Sequence, residues 1–351
     1  MNVVHVLGTG TIGEPLIAML ARNRDALGID EVTFHKRTPI AEEKGKLDAL
    51  IRAGARLATD ADRWAEFHAL GHAPRLEAQE AIDRATVVVD CTPAGLENKR
   101  RWYERAQGPR GFLAQGSEHG FGKPYARGVN DRALVPGEDR FLHVVSCNTH
   151  NIAALVRALA LDADGRAHLE DARFVCMRRA NDVSQDEEFV AAPTIGKHDD
   201  ARFGTHHAHD AHGLFATLGL DLPLWSSVVK MPTQYMHTLW FSLTLDEAIT
   251  LDEVKARLRQ NPYVALTRKR SANRVFSFGR DHGLYGRILS QTVVPVDSLA
   301  VRGGREVVGA CFTPQDGNSL LSSVAATLWL IDPETYERRV AALDPFLFSE
   351  V

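Results

Sequence analysis

Near its start the chain runs from an apolar stretch, Val3-Val4-His5-Val6-Leu7, directly into Gly8-Thr9-Gly10-Thr11-Ile12-Gly13 and then into a helical pattern over Pro15 to Ala21. Few folds place three glycines at this spacing between a strand and a helix. Gly8 permits a tight turn, Gly10 lets backbone approach a pyrophosphate, and Gly13 lets helix and strand pack closely. The helix start then presents unpaired N–H groups and the positive end of its dipole to the phosphates. The same glycines on their own would be weak evidence, and an ordinary glycine turn is the competing reading. Their place between strand and helix predicts a dinucleotide loop.

Glu31-Val32-Thr33-Phe34 reads as the second strand. A cofactor without a 2′-phosphate usually meets an Asp or Glu at the end of this strand. Here the chain reads His35-Lys36-Arg37-Thr38-Pro39. Two cations suit a 2′-phosphate and no carboxylate stands at that position, so NADP is expected ahead of NAD. A solvated basic loop is the alternative. Thr86 to Cys91, Phe112 to Gln115 and Phe141 to Val145 are further apolar runs, with helical stretches over 45–54 and through Asn98 to Tyr103. This alternation predicts an α/β fold with a doubly wound parallel (Rossmann) sheet. Ligands bind such sheets beyond the carboxyl ends of the strands, where Gly8, Thr92, Gln115 and Cys147 emerge.

The pattern changes after residue 147. Arg173 to Ala180, Met236 to Leu245, Val293 to Val296 and Glu306 to Phe312 read as strands with few helices between them, and Leu239, Phe241, Leu243 and Leu245 share one face. That predicts an α+β catalytic domain with a mainly antiparallel sheet. With 351 residues, two domains are expected: a dinucleotide-binding domain over 1–146, a catalytic domain over 147–312, and a C-terminal helical segment, 313–351, returning to the first. Hydrophobic content of 44% and charged content of 25% are those of a soluble globular protein. A net charge of −4 offers no basic field for nucleic acid. No apolar run approaches the roughly 20 residues that span a bilayer, so no membrane partner is expected. The first residues lack the basic start and long apolar centre of a signal peptide. The four cysteines, Cys91, Cys147, Cys176 and Cys311, lie far apart, and a reducing cytoplasm is the expected location.

Cys147 lies in Val144-Val145-Ser146-Cys147-Asn148-Thr149-His150, where an apolar run ends and a helical pattern in Ile152, Leu155, Val156 and Leu159 opens. Ser146 or Asn148 is available as a cap. A thiol at a helix N-terminus faces unpaired N–H groups, which lowers its pKa and favours the thiolate. A small buried apolar residue is the competing reading. Of Arg178 and Arg179, strand alternation turns only one toward a site; a salt-bridging surface pair is the alternative. The histidines and acid of His206-His207, His209-Asp210 and His212 meet no zinc spacing, and no metal is expected. His209 and His212 read as an exposed helix.

Taken together these segments resemble the glyceraldehyde-3-phosphate dehydrogenases of the archaeal (type II) kind, in order and over nearly the whole chain. The carriers are the glycine loop, Lys36-Arg37-Thr38-Pro39, Asp90-Cys91-Thr92-Pro93 through Asn98 and Tyr103, Gln115-Gly116-Ser117-Glu118-His119, Ser146-Cys147-Asn148-Thr149, Arg178-Arg179-Ala180 with Asp182, Thr205-His206-His207, and Pro232-Thr233-Gln234-Tyr235-Met236-His237. The resemblance implies Cys147 as nucleophile and His237 as its base. It implies cofactor contacts from Gly8, Thr9, Gly10, Thr11, Ile12, Gly13, Lys36, Arg37, Thr92, Pro93, Gln115, Gly116 and Asn318. It implies substrate or phosphate contacts from Ser146, Asn148, Thr149, His150, Arg178, Arg179, His206 and His207. The partners implied are a phosphorylated aldehyde and inorganic phosphate, with a homotetramer built on the catalytic sheet. The chain departs from the family pattern at His150, where a second threonine is usual, at Gln234-Tyr235, and at Ser117 in place of a glycine. These departures keep a second reading open: the same thiohemiacetal and thioester chemistry on another aldehyde or acyl phosphate, as in the semialdehyde dehydrogenases. A third reading is a non-catalytic dinucleotide-binding redox sensor.

Overall fold

The computed structural model describes residues 1–116, 118–183, 185, 189–314 and 316–351, so Ser117 lies outside the described residues. The chain divides into two compact units. One holds 1–123, 134–144 and 322–344; the other holds 124–133, 145–321 and 345–351. The division differs from a single cut at residue 146 with all of 313–351 returning. Hydrogen bonds explain why. Gln291 Nε2 donates to the Arg127 carbonyl at 3.0 Å and Asn130 Nδ2 to Thr217 Oγ1 at 3.0 Å, which hold 124–133 in the second unit. Val351 N donates to the Leu266 carbonyl at 2.8 Å, and Thr267 Oγ1 to the Val351 carbonyl at 2.6 Å.

The first unit is built on strands β1 (Val3–Leu7), β2 (Glu31–His35), β3 (Arg56–Thr59), β4 (Leu76–Glu77), β5 (Val87–Asp90) and β6 (Gly111–Gln115). Two more, β7 (Lys123–Tyr125) and β8 (Phe141–Val144), complete an eight-stranded sheet of order β4-β3-β2-β1-β5-β6-β8-β7. β1 pairs in parallel with β2 on one side and β5 on the other, and β6 continues the parallel run to β8. All residues of β1 and β5 are buried, as expected of parallel strands covered on both faces. The strand order reverses beside β1, so the glycine loop at its carboxyl end sits at the topological switch point.

Asp90, at the end of β5, organises the loop that follows. Its carboxylate accepts from the Thr92 N–H at 2.9 Å, Thr92 Oγ1 at 2.6 Å, Asn98 Nδ2 at 2.8 Å and the Tyr103 hydroxyl at 2.7 Å. Glu118 adds a bond from the Leu96 N–H at 2.8 Å. Asp90 and Tyr103 are both fully buried. Burial, then the Asp90 carboxylate, push the Tyr103 phenol well above its ordinary pKa, so it remains a donor.

The second unit carries β9 (Leu169–Arg178), β10 (Thr194–Ile195), β11 (Leu224–Lys230), β12 (Thr238–Leu245), β13 (Val264–Thr267), β14 (Thr292–Pro295), β15 (Ala300–Arg302) and β16 (Glu306–Phe312). Its order is β10-β11-β9-β12-β16-β14-β13, with β15 beside β16. The sheet is mixed: β11–β9 and β13–β14 are parallel, and the remaining paired strands are antiparallel. Leu239, Phe241, Leu243 and Leu245 are fully buried on one face of β12. They join Ile152, Leu155, Val156 and Leu159 of the Cys147–Ala160 helix in one core. Among the described residues no helix is long and apolar enough to cross a membrane.

Replacing Asp90 by Ala leaves the Tyr103 hydroxyl and the Asn98 amide unpaired in a dry interior, a cost of about 3 kcal/mol. The expected result is a clearly lower urea midpoint. An unchanged midpoint would show that Asp90 does not hold this loop.

Candidate active site

In the first unit the glycine loop borders a cleft of about 720 Å³ lined by Gly8, Thr9, Gly10, Lys36, Arg37, Thr92 and Pro93, among others. Gly8 has φ +89°, a conformation that suits glycine. A Cβ on Gly13 would lie 2.1 Å from the Gly8 carbonyl oxygen, whereas one on Gly10 would meet nothing within 4 Å. Ile12 stands at the N-cap of the Gly13–Arg22 helix and supplies no side-chain cap. An apolar N-cap offers the first-turn N–H groups no acceptor of its own, as suits a phosphate-binding helix start. Of the other first-unit residues singled out, Gln115 donates from Nε2 to Ser323 Oγ at 2.7 Å, and Gly116, at φ +79°, closes the turn after β6.

The sequence left no carboxylate at the end of β2, yet the fold brings one back. Glu43, from the short helical turn Ala41–Glu43, lines the same cleft and forms an ion pair with Lys36. Arg37 remains exposed.

In the second unit Ser146 caps the Cys147–Ala160 helix. Its Oγ accepts from the Thr149 N–H at 3.4 Å and lies 2.9 Å from Thr149 Oγ1. Asn318 Nδ2 donates to the Cys147 carbonyl at 3.0 Å and to the Gln291 carbonyl at 3.1 Å. Its amide is thus committed to holding the cysteine turn, where a cofactor contact was expected. Thr313 Oγ1 donates to Asn148 Oδ1 at 3.2 Å and accepts from Asn151 Nδ2, while its N–H donates to the His237 carbonyl at 3.0 Å. Thr313 therefore links the cysteine helix to the segment carrying His237.

His237 is 7% exposed. Its Nδ1 accepts the Arg179 backbone N–H at 2.9 Å, so the proton of the neutral ring sits on Nε2. Burial, then Arg179 and Arg178, hold the ring well below its ordinary pKa. In this state His237 offers a donor at Nε2 and is not set to take the thiol proton there. Cys147 also departs from expectation. Burial pushes its thiol up to about 12, Asp316 adds to that, and Arg179 opposes it. The helix-start effect does not dominate, because desolvation of a charged sulfur outweighs it. Cys147 keeps an accessible edge, unlike the enclosed Cys176 and Cys311, so water moderates the burial effect. The Cys147 thiol and the His237 imidazole thus feel the same two guanidinium groups, Arg179 and Arg178.

Arg178 and Arg179 divide as alternation requires. Arg178 ends β9 exposed. Arg179 is buried, paired to Asp182 at 2.8 Å and Asp316 at 3.5 Å. Its guanidinium is matched by these two carboxylates, while its buried Nε has no hydrogen-bond partner among the described residues. His150 is fully buried, and its Nδ1 donates to the Ser146 carbonyl at 2.9 Å. Asn148 and Thr149 are buried and serve the helix start. At the start of the His206–Ala216 helix His206 is exposed and His207 is 2% exposed, their ring centroids 4.0 Å apart. Both ring nitrogens of His207 are buried without a hydrogen-bond partner. Burial, then His206, Arg178 and His237, press its pKa well down. Farther along the helix His209 is exposed; His212 is half-buried and lies 2.8 Å from Asp221.

Asp316 was not singled out from the sequence. It is buried at φ +58°, a conformation that Asp tolerates better than most residues. Its only sequence signal is the Asp316-Gly317 pair, which marks a turn.

No family model matches the chain. Curated relatives do. It is 26% identical over 313 residues to a glyceraldehyde-3-phosphate dehydrogenase of Pyrobaculum islandicum, covering 86% of this chain and 85% of that one. It is 28% identical over 280 residues to the enzyme of that name from Methanobacterium formicicum, covering 76% and 74%. It is 26% identical over 286 residues to glyceraldehyde-3-phosphate dehydrogenase 1 of Methanosarcina barkeri, covering 79% and 78%. With similarity sustained over most of both chains, and a dinucleotide-type parallel sheet joined to a mixed catalytic sheet, the chain is a distant relative of the archaeal glyceraldehyde-3-phosphate dehydrogenases.

Proposed function

We propose that this protein is a phosphorylating, NADP-preferring aldehyde dehydrogenase that acts on glyceraldehyde 3-phosphate. The observation that carries the anionic substrate is the basic group cluster of the second unit. Arg178 lies close enough to act on Cys147, His207 and His237, the His206 and His207 ring centroids are 4.0 Å apart, and both ring nitrogens of His207 are buried without a partner among the described residues. An anion among them would relieve the mutual repulsion and supply an acceptor. The names of the relatives support the same substrate.

Addition of the Cys147 thiol across the aldehyde carbonyl forms a carbon–sulfur bond and moves the thiol proton to the oxygen. The product is a thiohemiacetal. His237, with its proton on Nε2, donates to that oxygen as charge develops. A bound nicotinamide supplies the hydride acceptor. The hydroxyl proton passes to water and the hydride of the same carbon to that acceptor, which leaves a thioester on Cys147. An oxygen of inorganic phosphate attacks the thioester carbonyl, Cys147 sulfur leaves, and an acyl phosphate forms. The open approach at Gly10, the uncapped helix start and the cations Lys36 and Arg37 suit a dinucleotide with a 2′-phosphate. A cytoplasmic homo-oligomer, tetrameric by resemblance, completes the proposal; Trp240, 40% exposed on β12, supports a covered sheet face.

A second reading keeps this chemistry on a different aldehyde. It is favoured by one observation: His150 stands where the family pattern has a hydroxyl, is fully buried, and commits Nδ1 to the Ser146 carbonyl.

Purified protein with NADP and glyceraldehyde 3-phosphate is expected to build up absorbance at the nicotinamide band only when phosphate is present. No reduction, while a panel of other aldehydes is oxidised, would replace the substrate. Cys147→Ala abolishes this reduction but leaves NADPH binding intact; retained turnover would remove the thioester route. His237→Ala lowers kcat by about 10²-fold or more. Because burial holds the Cys147 thiol protonated, its alkylation in the free protein speeds up as pH rises through the alkaline range. A plateau below about pH 8 would instead reveal a resting thiolate.

A further inference from the structure

Glu43 sits where a recognition carboxylate would stand, though it comes from a different part of the sequence. It lines the glycine-loop cleft. One carboxylate oxygen forms an ion pair with Lys36, which follows β2; the other lies 2.5 Å from Lys46 Nζ. Lys46 Nζ in turn donates to the Thr9 carbonyl of the glycine loop at 3.2 Å and lies 3.9 Å from Glu14. An acid and two ammonium groups are thus strung from the end of β2 to the phosphate loop. The three side chains are only 14%, 24% and 22% exposed for Lys36, Glu43 and Lys46, so bulk water screens them incompletely.

A carboxylate in this position acts in opposite directions on the two dinucleotides. A free ribose 2′-hydroxyl can donate to it. A 2′-phosphate is repelled by it and must compete with it for Lys36. Burial favours the neutral acid, but the hydrogen bonds from Lys36 and Lys46 outweigh it and hold Glu43 below its ordinary pKa, so the competing charge persists at neutral pH. Lys46 gives Glu43 an alternative partner when Lys36 is taken.

Resting on the reading of this cleft as a dinucleotide site, we propose that Glu43 is a specificity-determining residue. It occupies Lys36 in the free protein, restrains the preference for a 2′-phosphate, and keeps NAD usable. A 2′-phosphate displaces Glu43 from Lys36 toward Lys46; a 2′-hydroxyl leaves the pair in place.

The test is a fluorescence titration of NADPH and NADH against the wild-type protein, Glu43→Gln, Lys36→Gln and the double variant, at one fixed ionic strength. Glu43→Gln is expected to tighten NADPH about tenfold and not to tighten NADH, moving the ratio of the two affinities about tenfold. In the Lys36→Gln background the same change at Glu43 is expected to lose most of its effect on NADPH, because the group competed for is gone. A Glu43→Gln protein that binds both dinucleotides with the wild-type ratio would overturn the role of Glu43. A wild-type protein that binds neither would overturn the cofactor reading on which the proposal rests.

Discussion

The buried guanidinium of Arg179 holds the second unit's chemistry in place. A cation enclosed this fully is tolerated only when carboxylates match it, and Asp182 and Asp316 do so. The same residue's backbone N–H fixes the tautomer of His237. Burial raises the pKa of Asp316, and Arg179 opposes that rise without cancelling it. Asp316 lies just ahead of the Gly317–Ile331 helix, whose Asn318 secures the Cys147 carbonyl, while Thr313 ties Asn148 to the His237 segment. Ion pair, imidazole tautomer and cysteine turn therefore depend on one short stretch of chain.

The first unit uses buried acid differently. Among the described residues no cation pairs with Asp90; four neutral donors bond its carboxylate. The reward is geometric, since those donors come from the loop over 92–103 and fix its course beside the glycine turn. Glu43 does the converse, holding two ammonium groups, one of which, Lys46, reaches the Thr9 carbonyl of the glycine loop.

Where local pattern and packing agree, the sequence is a good guide. β1 and its glycine loop, the Cys147–Ala160 helix with its Ile152, Leu155, Val156 and Leu159 face, and the alternation of β12 are all legible, because burial imposes a period of two or near four. β3, β4, β11 and the Ala272–His282 helix were not read. The first two are short, four and two residues, and the helix buries only Val275 and Gly279, so its apolar period is faint. Site residues follow the same division. Cys147 stands at the helix start that its local pattern predicts. The partners of Arg179 and Asn318 come in part from remote segments, Asp316 and Cys147, which local pattern does not show.

From residue order alone this chain specified two sheet types, a dinucleotide loop between strand and helix, and a cysteine at a helix start, because each depends on side-chain period, glycine spacing or a local cap. Tertiary structure decided the protonation of that cysteine, the tautomer of His237, which arginine faces outward and which acid meets Lys36. Those outcomes depend on desolvation and on charges brought together from remote segments, and neither quantity exists until the chain has folded.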